Sequence, residues 1–203
     1  MTKIKLCGLM HREDIFAVNE VRPDFAGFIF YRKSRRYITE EKASRLRQLL
    51  DPEIPAVGVF VNEDPERILH LLKQGIIQMA QLHGQEDENY ILTLKENTDA
   101  ALIQAVKVRT PDDILLAENS SADEILLDNG AGTGETFDWT LMDRRISRPF
   151  FLAGGLDAGN VEDAVRRFHP YAVDVSSGIE TDGKKDPEKI KRFVRAVLRA
   201  DGR

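Results

Sequence analysis

Residues 2–9, TKIKLCGL, settle which kind of α/β protein this chain encodes. Lys3 to Cys7 reads as a short strand that ends at Gly8. The next segment, LMHREDIF at 9–16, has no further glycine. An open sheet that binds a dinucleotide needs a G-x-G-x-x-G turn directly after its first strand. Without that turn, a doubly wound sheet is the weaker reading. The same run poses a question about Cys7, the single cysteine of the chain. A lone cysteine ordinarily packs as a small buried hydrophobe. This one sits at the C-terminal tip of a strand, where a side chain also reaches a ligand.

Seven more runs of this kind follow: FAGFIF at 25, AVGVFV at 56, MAQLH at 79, LIQAVKV at 102, EILLD at 124, PFFLAGG at 149 and YAVDVSSG at 171. They recur roughly every 20 to 30 residues, the period of a βα unit. Helical patterns lie between them. TEEKASRLRQLL offers Thr39 as N-cap and a stripe of Leu46, Leu49 and Leu50. EDPERILHLLKQG has Asp64 as cap, Pro65 at the first helical position and Gly75 as the stop. TPDDILLAENS, GNVEDAVRRFH and DPEKIKRFVRAVLRA repeat the pattern, and Asp138 is a candidate cap for a short helix in FDWTLMD. Strand then helix, eight times over, requires parallel strands with right-handed crossovers. The expected fold is α/β, a single-domain (β/α)8 TIM barrel over residues 1–203. The open doubly wound sheet is the alternative.

Composition narrows the function. The chain has 203 residues, 42% apolar and 31% charged, with a formal net charge of -5. That balance speaks against nonspecific binding to nucleic acid or to an anionic membrane. No apolar stretch is long enough for a bilayer, and the N-terminus meets charge too soon for a signal peptide. The four histidines are scattered without ligand spacing, so no metal is expected. The expected setting is cytoplasmic. Neither monomer nor dimer is favoured.

A barrel of this type builds its site at the C-terminal ends of the strands. Gly154 and Gly155 follow strand 7, and Ser176, Ser177 and Gly178 follow strand 8. These loops are the usual phosphate cradle of the fold, because glycine lets backbone N–H groups approach an anion. Alternation along the strands puts Lys3, Lys5 and Cys7 on one face, Leu126 and Asp128 on another, and Ala172, Asp174 and Ser176 on a third. If Cys7 and Asp128 point into the mouth, Lys5 and Asp174 lie below them. Lys5 then either pairs with Asp174 or is a solvated charge at a strand end. The run RKSRR after strand 2 supplies Arg32, Lys33, Arg35 and Arg36, of which one or two can face inward and grip a planar carboxylate. His83, at the tip of strand 4, either lines the site or satisfies a core hydrogen bond. Gly132 and Gly134, in the loop after Asp128, are further site-lining candidates. A thiol base opposite a carboxyl acid moves a proton on and off carbon, which suits an isomerase of a sugar phosphate.

The segments KLCGL, GFIFYRKSRRYI, VGVFVNE, QLHGQE, ILLD, GTGETFDW, LAGGL and YAVDVSSGIE, in this order and spacing, resemble the phosphoribosylanthranilate isomerase family of tryptophan biosynthesis. The resemblance spans nearly the whole chain. Leu6 stands where isoleucine is commoner, and NGAG precedes the usual G-T-G; neither touches a reactive group. The resemblance implies an Amadori rearrangement of phosphoribosylanthranilate with no external cofactor. It implies Asp128 as general acid on the ring oxygen, Cys7 as general base at C2, and Arg36 beside the anthranilate carboxylate. A cation near Cys7, either Lys5 or Arg36, is expected to raise its thiolate fraction. Two rival phosphate-binding barrels need other residues: indole-glycerol-phosphate synthase a lysine acid, the histidine-pathway isomerase aspartates at strand tips 1 and 5. A barrel that binds phosphate without catalysis would have no use for both Cys7 and Asp128.

Overall fold

The computed structural model describes residues 1–128 and 146–202. Eight parallel strands close into a barrel in chain order. They are β1 (Lys3–Cys7), β2 (Phe25–Ile29), β3 (Ala56–Phe60), β4 (Met79–Leu82), β5 (Leu102–Lys107), β6 (Glu124–Asp128), β7 (Phe150–Leu152) and β8 (Ala172–Val175). All eight runs expected from the sequence are strands. The closing pair β1–β8 sets Lys5 beside Asp174, and β1–β2 sets Cys7 beside Gly27.

Seven helices surround the barrel among the described residues: α1 (Arg12–Val21), α2 (Glu40–Leu49), α3 (Pro65–Lys73), α4 (Glu88–Lys95), α5 (Pro111–Glu118), α6 (Val161–Phe168) and α7 (Pro187–Ala200). The expected caps hold. Thr39 accepts from the Lys42 N–H and Asp64 from the Glu66 N–H, and Gly75 follows α3 with φ of 68°. The sequence reading did not single out α1 and α4. The start of α1 is hidden because its N-cap is His11, and Asp14 closes the turn by accepting from the Met10 and His11 N–H groups. The Asp138 candidate lies outside the described residues. No helix among those described is long and apolar enough to cross a membrane.

Alternation separates two cores. Phe25, Val57, Ile103, Leu126, Phe151 and Ala172 form one apolar cluster, while their strand neighbours Ala26, Leu102, Ile125, Phe150 and Val173 belong to the larger cluster under the helices. The first cluster is the barrel interior. Burying each of its large side chains is worth about 1.5–3 kcal/mol. Phe25 and Phe151 meet there with ring centroids 5.4 Å apart. Two residues further along these same inward faces stand Asp128, Ala153 and Asp174, so the packed interior forms the floor of the site.

After β8 the chain makes a 3-10 turn (Ser177–Ile179) and then a hairpin of β9 (Glu180–Thr181) and β10 (Lys184–Lys185). Its turn residues Asp182 and Gly183 have φ of 52° and 76°. Asp-Gly is the preferred pair for such a two-residue turn.

Candidate active site

A cavity of about 200 Å³ opens at the C-terminal mouth of the barrel. It brings together Cys7, Arg36, His83, Asp128, Gly154, Gly155, Asp174, Ser176 and Ser177, all of them candidates from the sequence. Gly132 and Gly134 lie outside the described residues. Gly178 is not in the cavity; it lines a separate cleft beside α7. Its glycine is explained by packing: a Cβ there would come 2.0 Å from the Leu156 carbonyl oxygen. The two glycine loops therefore lock against each other at Gly178, and Gly154, Gly155, Ser176 and Ser177 line the cavity.

Cys7 is buried, and Gly27 leaves the room it needs, since a Cβ at 27 would lie 2.6 Å from Sγ. Beneath the thiol, Lys5 Nζ donates to Asp174 Oδ2 at 2.9 Å. Lys5 is fully buried, so it is the ion pair and not a solvated strand end. Burial pushes the Lys5 ammonium down, but Asp174 and the Cys7 thiol outweigh it and hold its pKa above the ordinary value. For Cys7 the balance falls the other way. Burial pushes the thiol up, and Lys5 and Lys185 only partly offset that. The expected rise in thiolate from a neighbouring cation is outweighed, because desolvation penalises the anion. Of the two cations expected beside Cys7, Lys5 is the one that draws it down.

Asp128 ends β6, and His83 Nε2 lies 3.2 Å from its Oδ2. Gln81, two residues earlier on the inward face of β4, places Nε2 2.8 Å from His83 Nδ1. His83 thus belongs to the site. Gln81 Nε2 donating to Nδ1 leaves a proton on His83 Nε2, which donates to the Asp128 carboxylate. Gln81 Oε1 is buried without a partner. With the amide turned over, Oε1 accepts from Nδ1–H, and Nε2 is free to accept from a protonated Asp128. The chain of three can hold Asp128 in either state. Gln81 escaped the sequence reading, although its even spacing from His83 was the available signal.

The loops after β7 and β8 are shaped by backbone. Gly154 and Gly155 have φ of 94° and 65°, a region costly for other residues. Asn160 Nδ2 donates to the Gly155 carbonyl at 2.9 Å. Ser176 Oγ donates to the Cys7 carbonyl at 3.1 Å, tying the strand 8 loop to the tip of β1.

Of the RKSRR cations only Arg36 lines the cavity; Arg32, Lys33 and Arg35 are exposed. Gly8, with φ of 76°, lets it cross, since a Cβ there would meet Arg36 Cδ at 2.5 Å. Arg36 is already engaged. Its Nε and Nη2 donate to Glu180 at 2.5 and 2.9 Å. Burial pushes the Glu180 carboxyl up, but the hydrogen bonds from Arg36 and Lys185 outweigh this and hold it below its ordinary range. Lys185 is pushed down by burial, which Glu180 only partly offsets. Neither Glu180 nor Lys185 was among the sequence candidates. Among the described residues no group of three or more His, Cys, Asp or Glu is placed to hold a metal ion.

Comparison with known proteins agrees with this geometry. Residues 4–196 match the family model described as N-(5'phosphoribosyl)anthranilate (PRA) isomerase. The N-(5'-phosphoribosyl)anthranilate isomerase of Endomicrobium trichonymphae is 43% identical over 98% of this chain and 100% of its own length. The crystal structure of phosphoribosyl anthranilate isomerase from Thermotoga maritima superposes with a TM-score of 0.88 at 40% identity, covering 97% of this chain and 98% of that one. A second crystal structure of such an isomerase, in complex with reduced 1-(o-carboxyphenylamino)-1-deoxyribulose 5-phosphate, has a TM-score of 0.86 at 40% identity over 97% and 98% of the two chains. With its closed barrel, its thiol and carboxyl in one mouth cavity and this likeness over nearly its full length, the chain belongs to the N-(5'-phosphoribosyl)anthranilate isomerase family.

Proposed function

We propose that Cys7 and Asp128 are the general base and general acid of the reaction this chain catalyses. That reaction is the isomerisation of N-(5'-phosphoribosyl)anthranilate to 1-(2-carboxyphenylamino)-1-deoxyribulose 5-phosphate in tryptophan biosynthesis. The observation that carries the assignment is that one cavity holds the single thiol, a strand-tip carboxyl and two glycine loops, with a cation at its rim. The phosphate sits in the loops of Gly154, Gly155, Ser176 and Ser177. The anthranilate carboxylate lies against Arg36.

In this reading protonated Asp128 gives its proton to the furanose ring oxygen. The C1–O bond breaks, and the nitrogen lone pair forms the iminium. The Cys7 thiolate removes the C2 proton, and the C2–H electron pair neutralises the iminium to give an enolamine. Loss of the C2 hydroxyl proton and protonation at C1 then yield the ketone. Each role fits its surroundings. Asp128 can store its proton against His83 Nε2. The Lys5 cation below Cys7 stabilises the thiolate that takes the C2 proton.

Asp128→Asn keeps the shape but carries no transferable proton. Its turnover should fall roughly 10²- to 10⁴-fold, while the reduced product analogue still binds. Near-normal turnover would remove Asp128 from the mechanism. A one-turnover burst that Cys7→Ser abolishes without weakening analogue binding would place the thiol at the C2 proton; a Cys7→Ser enzyme that keeps its activity would exclude it.

A further inference from the structure

We infer that Glu180 and Lys185 are positioning residues that fix which edge of the Arg36 guanidinium is offered to the substrate carboxylate. This rests on the reading of Arg36 given above and adds the device that aims it. A guanidinium has an Nε/Nη2 side and an Nη1/Nη2 end, and either can bind a carboxylate in bidentate fashion. Glu180 takes the side, with Nε at 2.5 Å and Nη2 at 2.9 Å. The Nη1 end makes no hydrogen bond among the described residues and is what remains for a ligand in the cavity.

Glu180 is built for holding. Its side chain is 4% exposed. It also accepts from Lys185 Nζ and from Arg35 Nη2, each at 2.8 Å. Four donors use the full capacity of a carboxylate, so Glu180 has no lone pair left for a substrate hydroxyl. Three cations on one carboxylate also leave surplus positive charge. Holding Arg36 therefore does not cancel its attraction for a second anion.

Lys185 links the two ends of the cavity. Its Nζ, 1% exposed at the side chain, donates to Glu180 Oε1 and to the Ser176 carbonyl, each at 2.8 Å. Ser176 borders the phosphate cradle, so the aim of Arg36 and the placement of that loop share one anchor. The β9–β10 hairpin sets Glu180 directly opposite Lys185. The Asp182–Gly183 turn that makes it is thereby part of the specificity apparatus.

The test compares two probes on the full chain: the reduced product 1-(o-carboxyphenylamino)-1-deoxyribulose 5-phosphate and its counterpart lacking the ring carboxylate. The readout is the ratio of their dissociation constants, with circular dichroism confirming the fold of each variant. The wild type should prefer the carboxylated probe by roughly 10- to 100-fold, and Arg36→Ala should erase the preference. Glu180→Gln should cut it about tenfold. Glu180→Asp keeps the charge but cannot reach both Arg36 nitrogens, so its ratio should fall between wild type and Glu180→Gln; it carries the test if the glutamine variant does not fold. Lys185→Met should lower both the ratio and the affinity for inorganic phosphate. If Arg36→Ala keeps the preference, the carboxylate reading of Arg36 fails and this proposal with it. If Arg36→Ala loses the preference while Glu180→Gln and Glu180→Asp retain it in full, the aiming role is overturned and the Arg36 reading stands.

Discussion

Cys7 answers at the scale of one residue. Burial raises its pKa despite Lys5 beneath it, so the unliganded enzyme should react slowly with iodoacetamide at neutral pH. The rate should climb with pH through and beyond about 8.5, the ordinary thiol value. A plot of labelling rate against pH, with inactivation followed in parallel, checks this; an inflection near neutrality would contradict it. Labelling is unambiguous because the chain has a single cysteine. Lys5 makes a stability prediction. Lys5→Met leaves Asp174 buried and unpaired and should cost about 3–5 kcal/mol, whereas Lys5→Met with Asp174→Leu should recover most of that. Urea unfolding of the two variants measures the difference. Asp174 Oδ1 is already buried without a hydrogen-bond partner, so the second carboxylate oxygen has nothing to fall back on when Lys5 is removed.

At the scale of elements, the working parts are short loops whose shape is set by close backbone contact. Gly178 is the tightest case, and Gly27, within β2, packs closely against Cys7. Gly27→Ala drives a methyl to 2.6 Å from Cys7 Sγ and 3.0 Å from Cys7 Cα. It should cost about 1–3 kcal/mol in stability through overpacking and reduce turnover further by displacing Cys7, the proposed base. Gly178→Ala sets a methyl 2.0 Å from the Leu156 carbonyl, forcing the loops after β7 and β8 apart. Inhibition by inorganic phosphate should weaken in that variant, since both loops belong to the proposed cradle. Normal phosphate inhibition in a folded Gly178→Ala enzyme would show that the loops bind independently. The β9–β10 hairpin was legible in principle from the Asp182–Gly183 pair, but its strands have two residues each. Alternation cannot be recognised over so short a run.

At the scale of the whole molecule, pH links the site to the fold. Glu180 has a folded pKa below its unfolded value, because Arg36 and Lys185 outweigh burial. Its contribution to stability is therefore present above about pH 4.3, the ordinary glutamate value, and is lost as pH falls through the lower folded value. Melting temperature should drop on acidification through this window, and Glu180→Gln should flatten that limb; an unchanged slope would show that Glu180 is not the linked group. The sequence alone determined the eight strands, the glycine loops after the seventh and eighth, and the inward faces that carry Cys7, Asp128 and Asp174. Those features follow from period-two alternation and from residues that break or cap an element, and both are local. Tertiary structure alone decided that Lys5 pairs with Asp174, that His83 meets Asp128, that Glu180 holds Arg36, and that burial raises the Cys7 pKa. Lys5 and Asp174 are 169 positions apart, and Arg36 and Glu180 are 144 apart. Only barrel closure makes them neighbours, and the removal of water around a buried charge has no counterpart in the pattern of a single segment.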